Sequence, residues 1–420
     1  MLRKYKTWTK GLIIAILLGL SAGMLYGSAI SASSQELAVF EAVWETVNEN
    51  FYDPEFNGVD WAQAREQYRP QVSQASSKAE KAALINDMLA ELKTSHTRFY
   101  TADEPAYYQL LGIFYPRSRE LQSQLEDTFP NGKLEYTGIG AITRTKGDKT
   151  FVKAILDGSP AATAGLKVGD QILSVAGQPF HPIQSFTDKA EQTVSLQIQS
   201  SPSPDSQKEI TVTPKVYDGL TMYLEAMDSS IDIIEKSGKQ IGYVHIWSYA
   251  GDQYQEKLEE ELLYGRLKDA DVLVLDLRDG WGGAPLSALN VFTARGPSLT
   301  SIGRDQGPVI YRSHWNKPVV MLVNEGSRSA KEILAYGFQQ YDIGPVVGSP
   351  TAGFVTAGRA FIMPDNSLLY VAVADVYLDE EVRLEGIGVT PDVVVPFSIE
   401  YAQGTDPQKE RAIVTAIEAL

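Results

Sequence analysis

Between residues 240 and 347 the chain alternates runs of consecutive apolar residues with stretches of helical spacing. The apolar runs 241–246, 272–277, 319–323 and 346–347 read as strands, and 253–267, 285–294 and 330–341 read as helices. A strand that is apolar at every position, rather than every second one, needs cover on both faces. Helical crossovers supply that cover, so the pattern predicts an α/β layer built on a largely parallel sheet.

The 420 residues carry 37 Lys+Arg against 53 Asp+Glu, a net charge of −16. So acidic a body repels phosphates, and no Lys/Arg-rich tract interrupts it, which excludes nucleic acid as a partner. No cysteine occurs, so disulfides, thiol catalysis and thiolate zinc sites are excluded. The four histidines, His96, His181, His245 and His314, are too far apart in sequence to form a local ligand pair. No metal and no organic cofactor is expected.

Arg3, Lys4, Lys6 and Lys10 precede an uncharged apolar run at 11–27, and Ala29-Ile30-Ser31 match a cleavage site before Ala32. The run is at the short limit for crossing a bilayer. Residues 1–31 are therefore expected to be a signal peptide or an N-terminal membrane anchor. Either way the body lies outside the cytoplasm, periplasmic, secreted or anchored by that one segment. Residues 35–133 read as an N-terminal helical region, with Leu37, Phe40, Val43, Trp44 and Val47 at helical spacing and a second helical segment at 78–92. Within it, 101–133 is polar, Tyr-rich and without a clear period, an insertion over a surface. Residues 134–216 are β-rich, with short runs at 151–155, 171–175, 194–199 and 209–213 between Gly and Pro. Residues 217–420 form the α/β domain.

Three segments of that domain could carry chemistry. The loop Asp276-Leu277-Arg278-Asp279-Gly280-Trp281-Gly282-Gly283 leaves a strand and lacks the Lys-Ser/Thr of a phosphate loop. Its glycines let backbone N–H groups come close to a ligand, as an oxyanion hole requires. In Asn324-Glu325-Gly326-Ser327-Arg328-Ser329-Ala330-Lys331-Glu332 a serine opens a helix. There it is either a nucleophile in a positive field or an N-cap, and this segment alone favours the cap. Glu385-Gly386-Ile387-Gly388-Val389-Thr390-Pro391-Asp392 reads alone as a turn. In the helical region, His96 ends the second helical segment, where the helix dipole alone would explain it.

Together these segments resemble the carboxyl-terminal processing (tail-specific) serine peptidase family, over most of the chain after Gln35. The stretch from DVLVLDLRDGWGG through NEGSRSAKEILA and VVGSPTAG to EGIGVTPD carries the resemblance. It implies a crotonase-like α/β protease core with an N-terminal helical region and an inserted β-rich PDZ domain. In the latter, Gly138-Ile139-Gly140-Ala141 would bind a peptide carboxylate, and GSPAATAGLKVGDQILSVAG resembles the PDZ signature. The better-known branch has a lysine 25 residues after its nucleophile; here that position is Phe354, so a Ser–Lys dyad is not implied. Lys331 is no substitute, because residues two apart on a helix do not face each other.

Ser95-His96-Thr97 and the E-x-x-G-V-x-P-D motif at Glu385 resemble instead the tricorn core branch. That likeness implies Ser329 as nucleophile, His96 as general base, Glu385 as its orienter, and Ser95 as possible support. Gly282 and Ala330 N–H groups become the oxyanion donors. Asp279-Gly280-Trp281 departs from the family's N-N-P, which leaves Gly280, Gly282 and Gly283 all open as the loop's donor, and Ser327 neighbours Ser329, so a one-turn slip of the alignment would exchange their roles. The substrates implied are flexible C-terminal protein tails. An unperturbed imidazole, with pKa about 6.5, predicts that kcat/KM rises between about pH 6 and 8. A silent tail-binding PDZ scaffold and a small-ligand hydrolase on the same fold are the alternatives.

Overall fold

The computed structural model describes residues 37–302 and 309–420. The expected leader at 1–31 lies outside them. Among the described residues no helix is long and apolar enough to cross a membrane.

The chain opens with three helices, 37–50, Trp61–Gln74 and Lys78–Ala90. Each later helix starts at a side-chain cap: Asp60 accepts from the Gln63 N–H and Ser77 from the Glu80 N–H. Their apolar stripes, including Phe40, Val43, Val47, Trp61, Met88 and Leu89, meet in one core. A bend then leads into β1 (Arg98–Tyr100). The segment expected to be an unpatterned insertion forms helices at Pro105–Phe114 and Arg119–Gln124. They bury Tyr107, Leu110, Leu111 and Leu121, a stripe that is hidden when tyrosine is counted as polar.

Next come β2 (Glu135–Gly138), β3 (Ala141–Lys146), β4 (Lys149–Ile155), β5 (Gln171–Val175), β6 (Val194–Gln199), β7 (Gln207–Val212) and β8 (Lys215–Asp218). β3 to β7 make one antiparallel sheet in chain order around its own core of Val152, Ile172, Phe186, Leu196 and Ile198. β2 and β8 pair beside it, Gly138 opposite Lys215.

The remaining strands are β9 (Asp232–Lys236), β10 (Lys239–His245), β11 (Val272–Asp276), β12 (Leu299–Ser301), β13 (Val309–Tyr311), β14 (Val319–Val323), β15 (Val346–Gly348), β16 (Ala357–Ile362), β17 (Leu368–Ala374) and β18 (Val393–Val394). The central sheet runs β18-β15-β14-β11-β10-β9, parallel except for β9. Both faces are covered, which is why its strands are apolar throughout. Val272, Val274, Val320 and Leu322 pack toward the helix Pro407–Glu418, while Leu273, Leu275, Met321 and Val323 pack with Leu258 and Phe338 of the helices Asp252–Leu263 and Ala330–Gln340. The helix expected at 285–294 is a 3-10 turn at Leu286–Leu289 followed by the four-residue helix Asn290–Thr293. Gly296-Pro297 stops it from continuing.

A second sheet, β1-β17-β16, joins the two ends of the chain, with Arg98 opposite Tyr370. The architecture is mixed α/β with an N-terminal helical region and a PDZ domain.

Candidate active site

Ser329 closes the turn between β14 and the helix Ala330–Gln340 with φ 56° and ψ −131°. Such a backbone costs on the order of 1–3 kcal/mol and persists only where its surroundings enforce it. Here the Ser329 N–H donates to the Phe354 carbonyl at 2.7 Å. The buried Glu332 carboxylate fixes that neighbour, accepting from the Gly353 and Phe354 N–H groups at 2.7 Å each and from Thr351 Oγ1 at 2.6 Å. Burial raises the Glu332 pKa against these bonds. Ser329 makes no cap bond. Among the described residues its half-buried hydroxyl has no protein partner. Ser327 differs: it is fully buried, donates to the Leu277 carbonyl at 2.9 Å and accepts from the Asn324 N–H at 3.0 Å. It is a structural serine.

The glycine-rich loop faces Ser329 through Gly282. A Cβ there would lie 2.6 Å from Ser329 Cβ and 3.1 Å from the Ala330 nitrogen, so a side chain cannot fit. Gly280 instead packs on the Trp247 carbonyl and Gly283 on Ala250. Among the described residues neither the Gly282 nor the Ala330 N–H has a protein acceptor. Two free donors thus flank a free hydroxyl at the positive end of a helix.

Lys331 points beneath this loop. Fully buried, its Nζ donates to the Asp279 carbonyl at 2.8 Å and the Trp247 carbonyl at 3.2 Å. Burial pulls its pKa down to about 7, against the charges of Asp279 and Asp276. The Asp279 carboxylate is held by Lys153 of β4 at 2.7 Å and by Asn324 Nδ2 at 3.1 Å.

His96 sits in the bend before β1, past the end of the helix Lys78–Ala90 rather than on its last turn, with φ 56°. Its Nδ1 is 2.8 Å from Ser95 Oγ and 3.4 Å from Thr356 Oγ1, and its ring centroid is 5.2 Å from that of Tyr370 on β17. Ser95 Oγ donates to Glu385 Oε2 at 2.8 Å. Glu385 also accepts from the N–H groups of Ser95 and Val355 at 2.7 Å and of Thr356 at 3.1 Å. The carboxylate therefore reaches the imidazole through the Ser95 hydroxyl. Burial pulls the His96 pKa down to about 4; the charge of Glu385 opposes this and that of Arg328 adds to it. Thr356 carries no sequence signal: it follows Phe354 in a stretch read only for a missing lysine.

In the PDZ domain, Gly138-Ile139-Gly140-Ala141 links β2 to β3. The Ile139 carbonyl accepts from Ala161 N–H and the Gly140 carbonyl from Leu156 N–H, each at 2.9 Å. Among the described residues the Ile139 and Gly140 N–H groups have no protein acceptor. Nor, among those residues, is any group of three or more His, Asp or Glu placed to hold a metal ion.

Known proteins give this geometry its class. Residues 240–395 match the model of peptidase family S41, 37–90 that of the tricorn protease C1 domain and 151–197 that of a PDZ domain. The protein is a serine peptidase. More narrowly, residues 240–395 are a peptidase family S41 domain, preceded by a PDZ domain. It is 25% identical over 402 residues to the carboxyl-terminal-processing protease of Synechocystis sp., covering 90% of this chain and 86% of that one. It is also 25% identical over 395 residues to tricorn protease homolog 1 of Streptomyces coelicolor, covering 91% of this chain and only 35% of the relative. The crystal structure of the tricorn protease shares the fold, with a TM-score of 0.53 at 18% identity over 92% of this chain and 37% of that one.

Proposed function

We propose that the protein is an extracytoplasmic endopeptidase that cleaves flexible C-terminal protein tails, with Ser329 as nucleophile, His96 as base and Glu385 acting on His96 through Ser95. The carrying observation is the unpartnered Ser329 hydroxyl on a strained turn, flanked by the free N–H groups of Gly282 and Ala330. The basic leader and apolar run at 1–31 support the location, and the open backbone donors of the PDZ loop support the choice of tails.

The hydrogen bonds around His96 support this chemistry. Ser95 Oγ spends its one proton on Glu385, so it receives the His96 Nδ1–H. That tautomer leaves Nε2 with a lone pair, able to take the Ser329 proton as Oγ bonds to the scissile carbonyl carbon. The C=O electron pair moves onto oxygen, facing the Gly282 and Ala330 N–H groups. As the tetrahedral carbon collapses, the C–N bond breaks and imidazolium returns its proton to the leaving amine. Water, deprotonated by the same nitrogen, then releases the acyl chain and restores Ser329. The Glu385 charge stabilises the imidazolium through Ser95.

A fluorophosphonate probe on the full chain tests this. Labelling should map to Ser329, disappear in Ser329→Ala and survive on folded Ser327→Ala. Label on Ser327, or none on the folded wild type, overturns the assignment.

A further inference from the structure

Arg328, between the two serines, has no role in the chemistry above. Its guanidinium lies over the Trp281 ring of the glycine-rich loop, 4.7 Å from the centroid. The side chain is half-buried, and its Nε is buried without a hydrogen-bond partner. Among the described residues no carboxylate lies within ion-pair distance of it. The charge is nonetheless close enough to act on His96, Lys331, Tyr100, Tyr223 and Tyr370. Next to Ser329 in the chain, it thus lies beside the proposed reacting centre, stacked on an aromatic ring and paired with no anion. A chain with 53 acidic against 37 basic residues has carboxylates to spare, yet supplies none here. Partly desolvated cations in folded proteins are normally paired, because hydration lost without a partner is not recovered.

We infer that the missing partner arrives with the substrate: Arg328 receives a carboxylate carried close to the scissile bond, either the terminal α-carboxylate of a tail or the side chain of Asp or Glu. This rests on Ser329 being the nucleophile, since the side chain next to it can reach only the residues around the cut. A planar guanidinium suits the task, because its fork of donors matches the two carboxylate oxygens. It also divides the work with the PDZ loop, which would hold a tail's end away from the reaction. In an acidic molecule that repels anionic peptides overall, one positive site confined to the cleft selects where an anion can settle.

The test uses internally quenched peptides of one sequence in matched pairs: terminal acid against amide, with the cut near that end, and Asp against Asn beside the cut. Wild type should prefer the carboxylate member of at least one pair by about 10- to 100-fold in kcat/KM, as for a hydrogen-bonded ion pair. In Arg328→Gln that ratio should collapse toward one, while Arg328→Lys should retain part of it. If Arg328 serves only to brace Trp281, Arg328→Gln slows both members alike and keeps the ratio, which overturns the inference. Wild type that cleaves both members of every pair equally well overturns it without any variant. An acid-over-amide preference that survives Arg328→Gln belongs to the PDZ loop, and it overturns the inference where wild type shows no Asp-over-Asn preference that the same variant abolishes. A wild type that cleaves no peptide and takes no fluorophosphonate label fails the underlying reading instead.

Discussion

His96 has its ring largely out of water, and this decides where activity should begin on the pH scale. Catalysis needs neutral imidazole, and burial favours the neutral form, so the pKa of about 4 extends activity toward acid. We expect the acid limb of kcat/KM near pH 4, not between about 6 and 8 as an unperturbed imidazole predicts; a limb above pH 6 would contradict it. Ser95→Ala cuts the link from Glu385 to the ring and should lower kcat, at nearly constant KM, by less than the roughly 100- to 10,000-fold expected for Glu385→Gln. Lys331 leads to a stability prediction. Its folded pKa of about 7 lies below the ordinary lysine value of 10.5, so between these pH values the unfolded chain binds more protons. Stability must then rise with pH across that window, and Tm of Lys331→Met should lack that rise. The proposed Ser, His and Glu stand in motifs that the sequence shows, and the structure brings the His96 and Glu385 motifs together through Ser95. The Ser95 hydroxyl between His96 and Glu385 was legible only as a neighbour, because the link depends on bringing together residues 290 positions apart.

Among the elements, the turn at Ser329 and the segment Thr351–Thr356 act as a pair. The segment works through its backbone: the Phe354 carbonyl holds Ser329, its N–H holds Glu332, and Phe354 as a residue is 44% exposed. Phe354→Lys should therefore leave Tm nearly unchanged and bring no gain in rate. A gain in Phe354→Lys that persists without His96 would restore the lysine-base alternative. Glu332→Gln places an amide opposite two backbone donors and should cost about 1–3 kcal/mol by thermal melt. The central strands were readable because both of their faces are covered. β1, β16 and β17 were not: β1 is three residues long, and β16 is half-buried without clean alternation. The helix Pro105–Phe114 was hidden by its tyrosines, and Arg119–Gln124 by its shortness.

At the scale of the whole molecule, Lys153 of the PDZ sheet grips Asp279, whose backbone begins the turn to Gly282. Lys153→Met should lower kcat more than KM, since it loosens the loop without touching peptide. Amidating the far end of a long substrate should instead raise KM, through the donors of Ile139 and Gly140; equal KM for acid and amide would remove the PDZ loop from recognition. The order of helical, β-rich and α/β parts was legible because the apolar spacing changes from helical to short β runs and then to continuous apolar strands. The contact between domains was not, since a lone lysine in a strand carries no signal of its partner.

The sheet β1-β17-β16 has a consequence for the life history of the protein. It sews the first third of the chain to the last, and this seam runs beside the meeting of His96 with Thr356 and of Ser95 with Glu385. On the triad proposed above, a nascent chain, or one clipped before residue 385, would hold its base and its nucleophile but not the carboxylate linked to them through Ser95. Competence to cut would then await the segment that carries Glu385.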